Sequence, residues 1–275
     1  MHTVTVRLDD EIDCLVVASD IHAYRETLGP LSATIAALPG RVRVCFNGDL
    51  FEGGISPSEG VDWVREHAEG LAVRGNHDEW VLSDKIDGEY PLDTERGAYK
   101  HLSAEQMRFL RELPEVIEIE WRGKSIRVMH GHRTPAGEGG DWRWPPEKLI
   151  ETFGDPDVDL VVTSHTHYAC VVRQGERFYA NSGSVAYPSA AIRNKDGSTH
   201  FQSGDPDAPE NAEIRSSILA ISEQSGRLDV EIVRFDYDRE EALERLLGVD
   251  GAYTADFKTR LLREGVADLT AMKRG

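Results

Sequence analysis

The chain has 275 residues, 40% of them hydrophobic, and a formal net charge of −18, with 7 lysines beside 24 arginines. That length suits one large α/β domain or two small ones, and ordinary glycine and proline contents exclude collagen-like and low-complexity classes. No stretch reaches the roughly 18–20 apolar residues that span a bilayer, and a surface this acidic repels nucleic-acid backbone unless a local patch reverses the field, so neither partner is expected.

Met1 to Asp13 is polar and acidic, without the basic-then-apolar order of a secretory leader. Cys14 opens the first apolar run, Cys14 to Ala18, which ends in Ser19-Asp20-Ile21-His22. Leu31 to Leu38 has helical spacing and stops at Pro39-Gly40. Val42 to Phe46 leads into Asn47-Gly48-Asp49, and after a second helical pattern at Val61 to Ala68, Leu71 to Val73 leads into Arg74-Gly75-Asn76-His77-Asp78. Ser103 to Leu113 is the best-marked helix: Ser103 with Gln106 fits a capping box, Leu102 can staple onto Met107, and Pro114 ends it. Ile126 to Met129 leads into His130-Gly131-His132, Leu160 to Val162 into Thr163-Ser164-His165-Thr166-His167, and Arg177 to Ala180 into Asn181-Ser182-Gly183-Ser184. Short runs rich in β-branched residues and bounded by turn residues read as buried strands.

Two polar stretches stand apart: Thr134 to Pro146, a lid-sized loop with two tryptophans, and Asn194 to Asn211, read as a surface insertion. Ser217 to Ser222 and Leu228 to Phe235 read as a hairpin, and Glu240 to Leu247 and Thr254 to Glu264 as amphipathic helices. We read one domain over 1–275, with a core at about 14–238 and a helical extension over 239–275. Strand and helix in alternation predict an α/β sandwich. Cys14, Cys45 and Cys170, odd in number and irregularly spaced, read as small buried residues in a reducing compartment, which makes the cytoplasm the expected location.

The chemistry lies in position. Five His/Asp/Asn clusters each follow the C-terminal end of a predicted strand, the place where open α/β sheets bind ligands. Each cluster alone is weak: Asp-x-His recurs by chance, and Gly-Asn-His-Asp suits a tight turn. Five in order are another matter. Their donors are imidazole, carboxylate and amide, without thiolate, a mix that suits manganese, iron or zinc better than calcium.

Asp20-x-His22, Gly48-Asp49-x-x-Glu52, Gly75-Asn76-His77-Asp78, His130-Gly131-His132 and His165-x-His167 resemble the calcineurin-like metallophosphoesterase superfamily. Asn181-Ser182-Gly183-Ser184-Val185 and Phe235-Asp236-Tyr237-Asp238 are similar to its small prokaryotic phosphodiesterase-like branch. The resemblance implies a four-layer α/β/β/α sandwich and two divalent metal ions, manganese first, with iron, zinc, magnesium, cobalt or nickel as alternatives. One ion would be held by Asp20, His22, Asp49 and His167, the other by Asp49, Asn76, His130 and His165, with Asp49 shared. His77 would donate a proton to the leaving group and Glu52 would orient it. Two such ions outweigh Asp20 and Asp49, so the site would be locally positive and draw an anionic phosphate.

Two departures bear on this. Ser164 stands where relatives carry glycine, and a serine there either fits or shifts the backbone and weakens one metal. Glu52 is followed by Gly53-Gly54, lacking the arginine of the protein-phosphatase pattern, which argues against that class. Retaining His77 keeps phosphomonoesters and phosphodiesters both open. Arg25, His132 and Arg133 are candidate substrate contacts, although an arginine paired with a nearby acid is an equal reading. Trp142 and Trp144 either stack on a base or pack onto the domain. His2, His67, His101 and His200 read as surface or helix residues. The expected activity is hydrolysis of a small, nucleotide-like phosphoester. The alternatives are a nuclease, which would need a basic aromatic groove, or a non-catalytic metal-binding scaffold. The sequence carries no sign of oligomeric state.

Overall fold

The computed structural model describes residues 1–82, 98–133, 144, 146–188, 191–193, 199–201, 215–249 and 253–268. A five-stranded sheet is built around β2 (Cys14–Ala18), β3 (Val42–Asn47) and β4 (Ala72–Val73), which run parallel. The hairpin β12 (Ser216–Gln224) and β13 (Arg227–Phe235) extends it antiparallel to β2. A six-stranded sheet has the order β1-β5-β6-β7-β9-β8, from β1 (Thr3–Arg7), β5 (Val116–Trp121), β6 (Lys124–Met129), β7 (Leu160–Thr163), β8 (Cys170–Gln174) and β9 (Arg177–Asn181).

Alternation along these strands determines the layers, because successive side chains point to opposite faces. Leu15 and Val17 meet Ile117, Ile119, Ile126, Val128, Leu160 and Val162 in the core between the sheets. Cys14, Val16 and Ala18 point the other way and pack against Leu31 and Ile35 of α1 (Leu28–Ala36). The same cluster takes Val61 and Val64 of α2 (Pro57–His67) and Leu110 of α4 (Ala104–Glu112). On the far face of the six-stranded sheet, Val116, Met129, Val161 and Tyr179 pack against Leu149 and Phe153 of α5 (Pro146–Phe153). The packing order is therefore helix, sheet, sheet, helix. The expected α/β fold is present as two sheets with helices.

Several local readings change. Asn76 to Leu82 forms a short helix, α3, where the residue types suited a tight turn. Both α1 and α2 begin earlier than the periodicity predicts, since Pro30 sits in the first turn of α1 and Pro57 opens α2, where a missing N–H costs nothing. Thr199–Phe201 (β11) lies inside the predicted insertion and pairs with β10 (Ala191–Arg193). β14 (Val266–Asp268) pairs with β10 in turn and follows α6 (Arg239–Leu247) and α7 (Ala255–Glu264). The rest of Asn194 to Asn211, and the predicted lid apart from Trp144 and Pro146, lie outside the described residues. The Ser103–Gln106 capping box forms as read. Cys14 and Cys45 are buried, Cys170 is half-buried, and all three are free thiols. No helix among the described residues is long and apolar enough to cross a membrane.

Candidate metal centre

The loops that follow β2, β3, β4, β6 and β7 carry the predicted clusters, and they converge. Parallel pairing lines up the C-terminal ends of β2, β3 and β4 in one sheet and of β6 and β7 in the other, and the two sets of loops meet. The loops are stitched by backbone hydrogen bonds: Asp20 N to Gly48 O (2.9 Å), His22 N to Asp49 O (3.1 Å) and Ser164 N to His130 O (2.9 Å). Asp78, which sequence reading left without a role, is the central fastener. Its carboxylate accepts from the N–H groups of Leu50 (2.8 Å), Gly75 (2.8 Å) and Asp49 (3.1 Å), locking the loop after β3 to the loop after β4. The acid at the end of Gly-Asn-His-Asp was the available signal.

Backbone strain is concentrated here. Seven of the ten described non-glycine residues with positive φ are Asp20, His22, Ala23, Asp49, Glu52, His165 and His167. The other three, Glu69, Arg122 and Ser225, each precede a glycine in a turn. Left-handed backbone costs about 1–2 kcal/mol per residue, so the surrounding packing holds this cluster against its own preference, as is usual where loops serve a ligand.

The side chains form two groups. Asp20, His22 and His167 converge, as do Asp49, His130 and His165, and within each group the ligand atoms all lie within 4.8 Å of one another. The Asn76 oxygen is 3.2 Å from His130 Nε2. Asp49 joins the groups through one oxygen: Oδ2 lies 3.1 Å from His130 Nε2 and 3.8 Å from His22 Nε2. Its other oxygen, Oδ1, accepts the His77 backbone N–H at 3.0 Å.

Outer hydrogen bonds fix which ring nitrogens point inward. His22 Nδ1 faces the carbonyl oxygens of Phe51 (2.8 Å) and Glu52 (2.7 Å), His167 Nδ1 that of Tyr187 (3.0 Å), and His130 Nδ1 that of Asn47 (2.7 Å). A carbonyl only accepts, so each Nδ1 carries a hydrogen, and each Nε2 presents a lone pair when its ring is neutral. These lone pairs face other acceptors. His167 Nε2 is 3.0 Å from Asp20 Oδ1 and 3.2 Å from His22 Nε2, and Asp20 Oδ1 is buried without a hydrogen-bond partner. Acceptors crowded like this in a buried site require a positive charge between them. The donor set therefore fits divalent cations.

The electrostatics agree. Burial opposes ionisation of Asp20 and Asp49, but the neighbouring histidines, chiefly His167 and His130 respectively, outweigh it and hold both carboxyls below the usual range. Burial likewise disfavours charge on His130, yet Asp49 and Asp20 push its pKa up to about 10. A proton there supplies part of the charge that a cation would. His165 goes the other way, to about 3, through burial and the charge of His130.

Ser164 fits. Its φ is not positive, so the backbone has no need of glycine; its buried Oγ donates to Asn47 O (2.9 Å) and lies 2.8 Å from His130 Nδ1. His77 stands beside the centre with Nε2 3.8 Å from Asp49 Oδ2, and its Nδ1 meets Glu52 Oε2 at 2.8 Å. Burial alone would lower its pKa; Asp49 and the Glu52 hydrogen bond raise it to about 9.

The rim is less decisive. His132 lies 3.5 Å from Glu79, its ring 5.5 Å from that of His130. Arg133 is about half exposed and donates to Glu79 at 2.6 Å, while Arg25, equally exposed, lies within 4 Å of Glu26 and Glu59. Both arginines thus have carboxylate partners. Trp144 packs with Phe153 in the outer core, and Trp142 lies outside the described residues. His2 and His101 are exposed, and His67 stacks on Trp63 at the end of α2, so none belongs to the centre. His200 lies in β11.

The family profile described as the calcineurin-like phosphoesterase superfamily domain matches residues 14–201. The chain belongs to that superfamily. It is 26% identical over 237 residues to the uncharacterised protein MJ0912 of Methanocaldococcus jannaschii, covering 85% of this chain and 91% of that one. Among solved structures it is similar to a metallophosphoesterase from Sphaerobacter thermophilus, with TM-score 0.66 and 21% identity over 93% of this chain and 100% of the other. The protein PH1004 from Pyrococcus horikoshii follows at TM-score 0.64 and 14% identity, covering 85% and 92%. At these identities the structural likeness shows a shared fold. The chain is thus a member of the calcineurin-like phosphoesterase superfamily that carries His/Asp clusters suited to metal.

Proposed function

We propose that this phosphoesterase hydrolyses a monoester or diester of a small, nucleotide-like phosphate, using two divalent cations. Asp20, His22, Asp49 and His167 would hold one cation, and Asp49, Asn76, His130 and His165 the other. When bound, such a pair supplies Lewis acidity toward the phosphoryl oxygens and brings the pKa of a water toward neutrality. The observation that carries this reading is the set of buried acceptors pressed together at 3.0–3.8 Å around Asp20 and Asp49.

The chain's own residues do the rest. Asp49 presents Oδ2 to both histidine sets, while the His77 amide restrains Oδ1. Glu52 holds Nδ1 of His77, so Nε2 is aimed across Asp49 and can keep a proton for the departing oxygen. Cations at Asp49 would cancel part of the attraction that raises the His77 pKa, bringing this acid closer to neutral pH. With both cations bound the site would be locally positive within a chain of charge −18, which favours a small anion over a long nucleic acid.

The test is direct: strip the protein of metal, restore Mn²⁺, and assay p-nitrophenyl phosphate, bis-p-nitrophenyl phosphate and a panel of nucleotides. Metal-dependent hydrolysis of at least one class is expected. Absence of turnover with every divalent ion would favour a non-catalytic scaffold.

A further inference from the structure

The two oxygens of Glu52 have different partners. Oε2 meets His77 Nδ1 at 2.8 Å, and Oε1 accepts the hydroxyl of Tyr253 at 2.7 Å. Tyr253 arrives from 201 positions further along the chain, just ahead of α7. Its ring stacks on Phe257, with centroids 4.8 Å apart and planes 15° from parallel. Phe257, Leu261 and Ala267 form a small buried cluster, against which Tyr253 and Tyr187 both pack. Tyr187 in turn lies 4.7 Å, ring to ring, from His22 and His167. The segment is moored nearby as well: Arg245 on α6 pairs with Glu26 and donates to Ser56 Oγ at 2.8 Å. Lys258 on α7 donates to the carbonyls of Leu246 (2.7 Å) and Val249 (2.9 Å), joining the two helices.

We propose that Tyr253 is a positioning residue for the reaction: its hydroxyl holds Glu52 in the rotamer that aims His77 at the phosphoester. The inference rests on the reading of His77 as proton donor. A glutamate has three rotatable bonds, and an imidazole bonded to it follows wherever it turns. A phenol anchored by stacking fixes one carboxylate oxygen while leaving the other to the histidine. It also does so as a neutral donor. A lysine or arginine in the same place would offset the carboxylate's charge and weaken its hold on the imidazole. The chain beyond Asp238 thereby contributes to the geometry of the centre without touching the cations.

The experiment is Tyr253→Phe, which keeps the ring and its stacking and removes one oxygen. Its thermal unfolding and Mn²⁺ binding should match those of the parent. Turnover of a phosphoester with a poor leaving group, such as phenol or methanol, should fall about ten-fold, the low end for loss of an outer orienting partner. Esters of p-nitrophenol, which leave without help, should be nearly unaffected. Glu52→Gln should show the same selectivity, and adding Tyr253→Phe to it should cost nothing more. Independently of turnover, ¹⁵N spectra of the Zn²⁺-loaded protein, recorded at a pH where His77 is neutral, should show a single Nδ1–H tautomer for His77, giving way to an averaged signal in Tyr253→Phe. A loss equal for all leaving groups, additive losses in the double variant, or an unchanged His77 signal would each overturn the proposal. A protein that hydrolyses nothing yet shows the spectral change would refute the catalytic reading and leave the positioning intact.

Discussion

Gly75 sits between the two halves of the centre, and Gly75→Ala tests how tightly Asp49 is held. Its φ is not in the left-handed region, so alanine brings no backbone strain and the effect is purely steric. A Cβ there would lie 2.1 Å from Asp49 Oδ1, 2.5 Å from Asp49 N and 2.8 Å from Asp49 Cγ. Non-bonded atoms settle at roughly 3.5–4.0 Å, so the carboxylate must retreat by about 1 Å or more. Rotating the side chain does not relieve the clash with the backbone nitrogen. Overpacking of this kind costs about 1–3 kcal/mol, and a displacement near 1 Å at a catalytic group costs on the order of 100-fold in rate. The matched control is Gly60→Ala, inside α2, where the nearest atom to the new Cβ is Ile21 Cγ2 at 3.4 Å. That change should stabilise by about 0.5–1 kcal/mol through helix propensity. Thermal unfolding measures the stability cost, phosphoester hydrolysis the rate, and calorimetric titration of the metal-stripped proteins the hold on Mn²⁺. A Gly75→Ala protein that melts with the parent and binds Mn²⁺ as tightly would refute the claimed crowding around Asp49.

Other consequences follow from single contacts. Ser164→Ala leaves the Asn47 carbonyl and His130 Nδ1 without the Ser164 hydroxyl, and should weaken Mn²⁺ affinity about ten-fold while barely moving the melting temperature. Lys258→Met, which unties α7 from the end of α6, should destabilise by about 1–3 kcal/mol because the Leu246 and Val249 carbonyls lose a charged donor; guanidinium melts would show it. Burial opposes ionisation of Asp159, but hydrogen bonds from Ser125 and Lys124 outweigh it and lower its pKa. A lowered folded pKa means stability that is present above the unfolded value of about 3.9 and is lost as pH falls through the folded one. The stability gap between the parent and Asp159→Asn should thus be constant near neutral pH and shrink below pH 4 or so; a gap that widens in acid would contradict it.

Much of the centre was legible because its information is local. Each ligand cluster follows a β-branched run such as Leu160 to Thr163, and parallel pairing within each sheet lines those ends up along one edge. β1 was missed although Val4, Val6 and Leu8 alternate with Thr3, Thr5 and Arg7, because the pattern is short, mostly exposed and set in an acidic stretch. α3 was obscured by Gly75-Asn76, whose residue types favour turns, although Asp78 and Glu79 in its first turn suit a helix start. Tyr253 was out of reach, since nothing near it in sequence reports a glutamate 201 residues away. Ser164 shows the limit of motif comparison: its hydroxyl finds partners in the chain, so a departure from the pattern became a contact.

On the proposed reading, the Asp49 carboxylate would be shared by two cations. Asp49→Asn replaces a charge with a neutral amide at nearly constant volume. The Mn²⁺ stoichiometry of the parent and of this variant, measured on stripped and reloaded protein together with hydrolysis of bis-p-nitrophenyl phosphate, tests it directly. We expect two ions per chain in the parent, and in the variant at most one ion and a rate lower by at least about 100-fold. A variant that still binds two ions, or still hydrolyses at near-parental rate, would contradict the shared-carboxylate account.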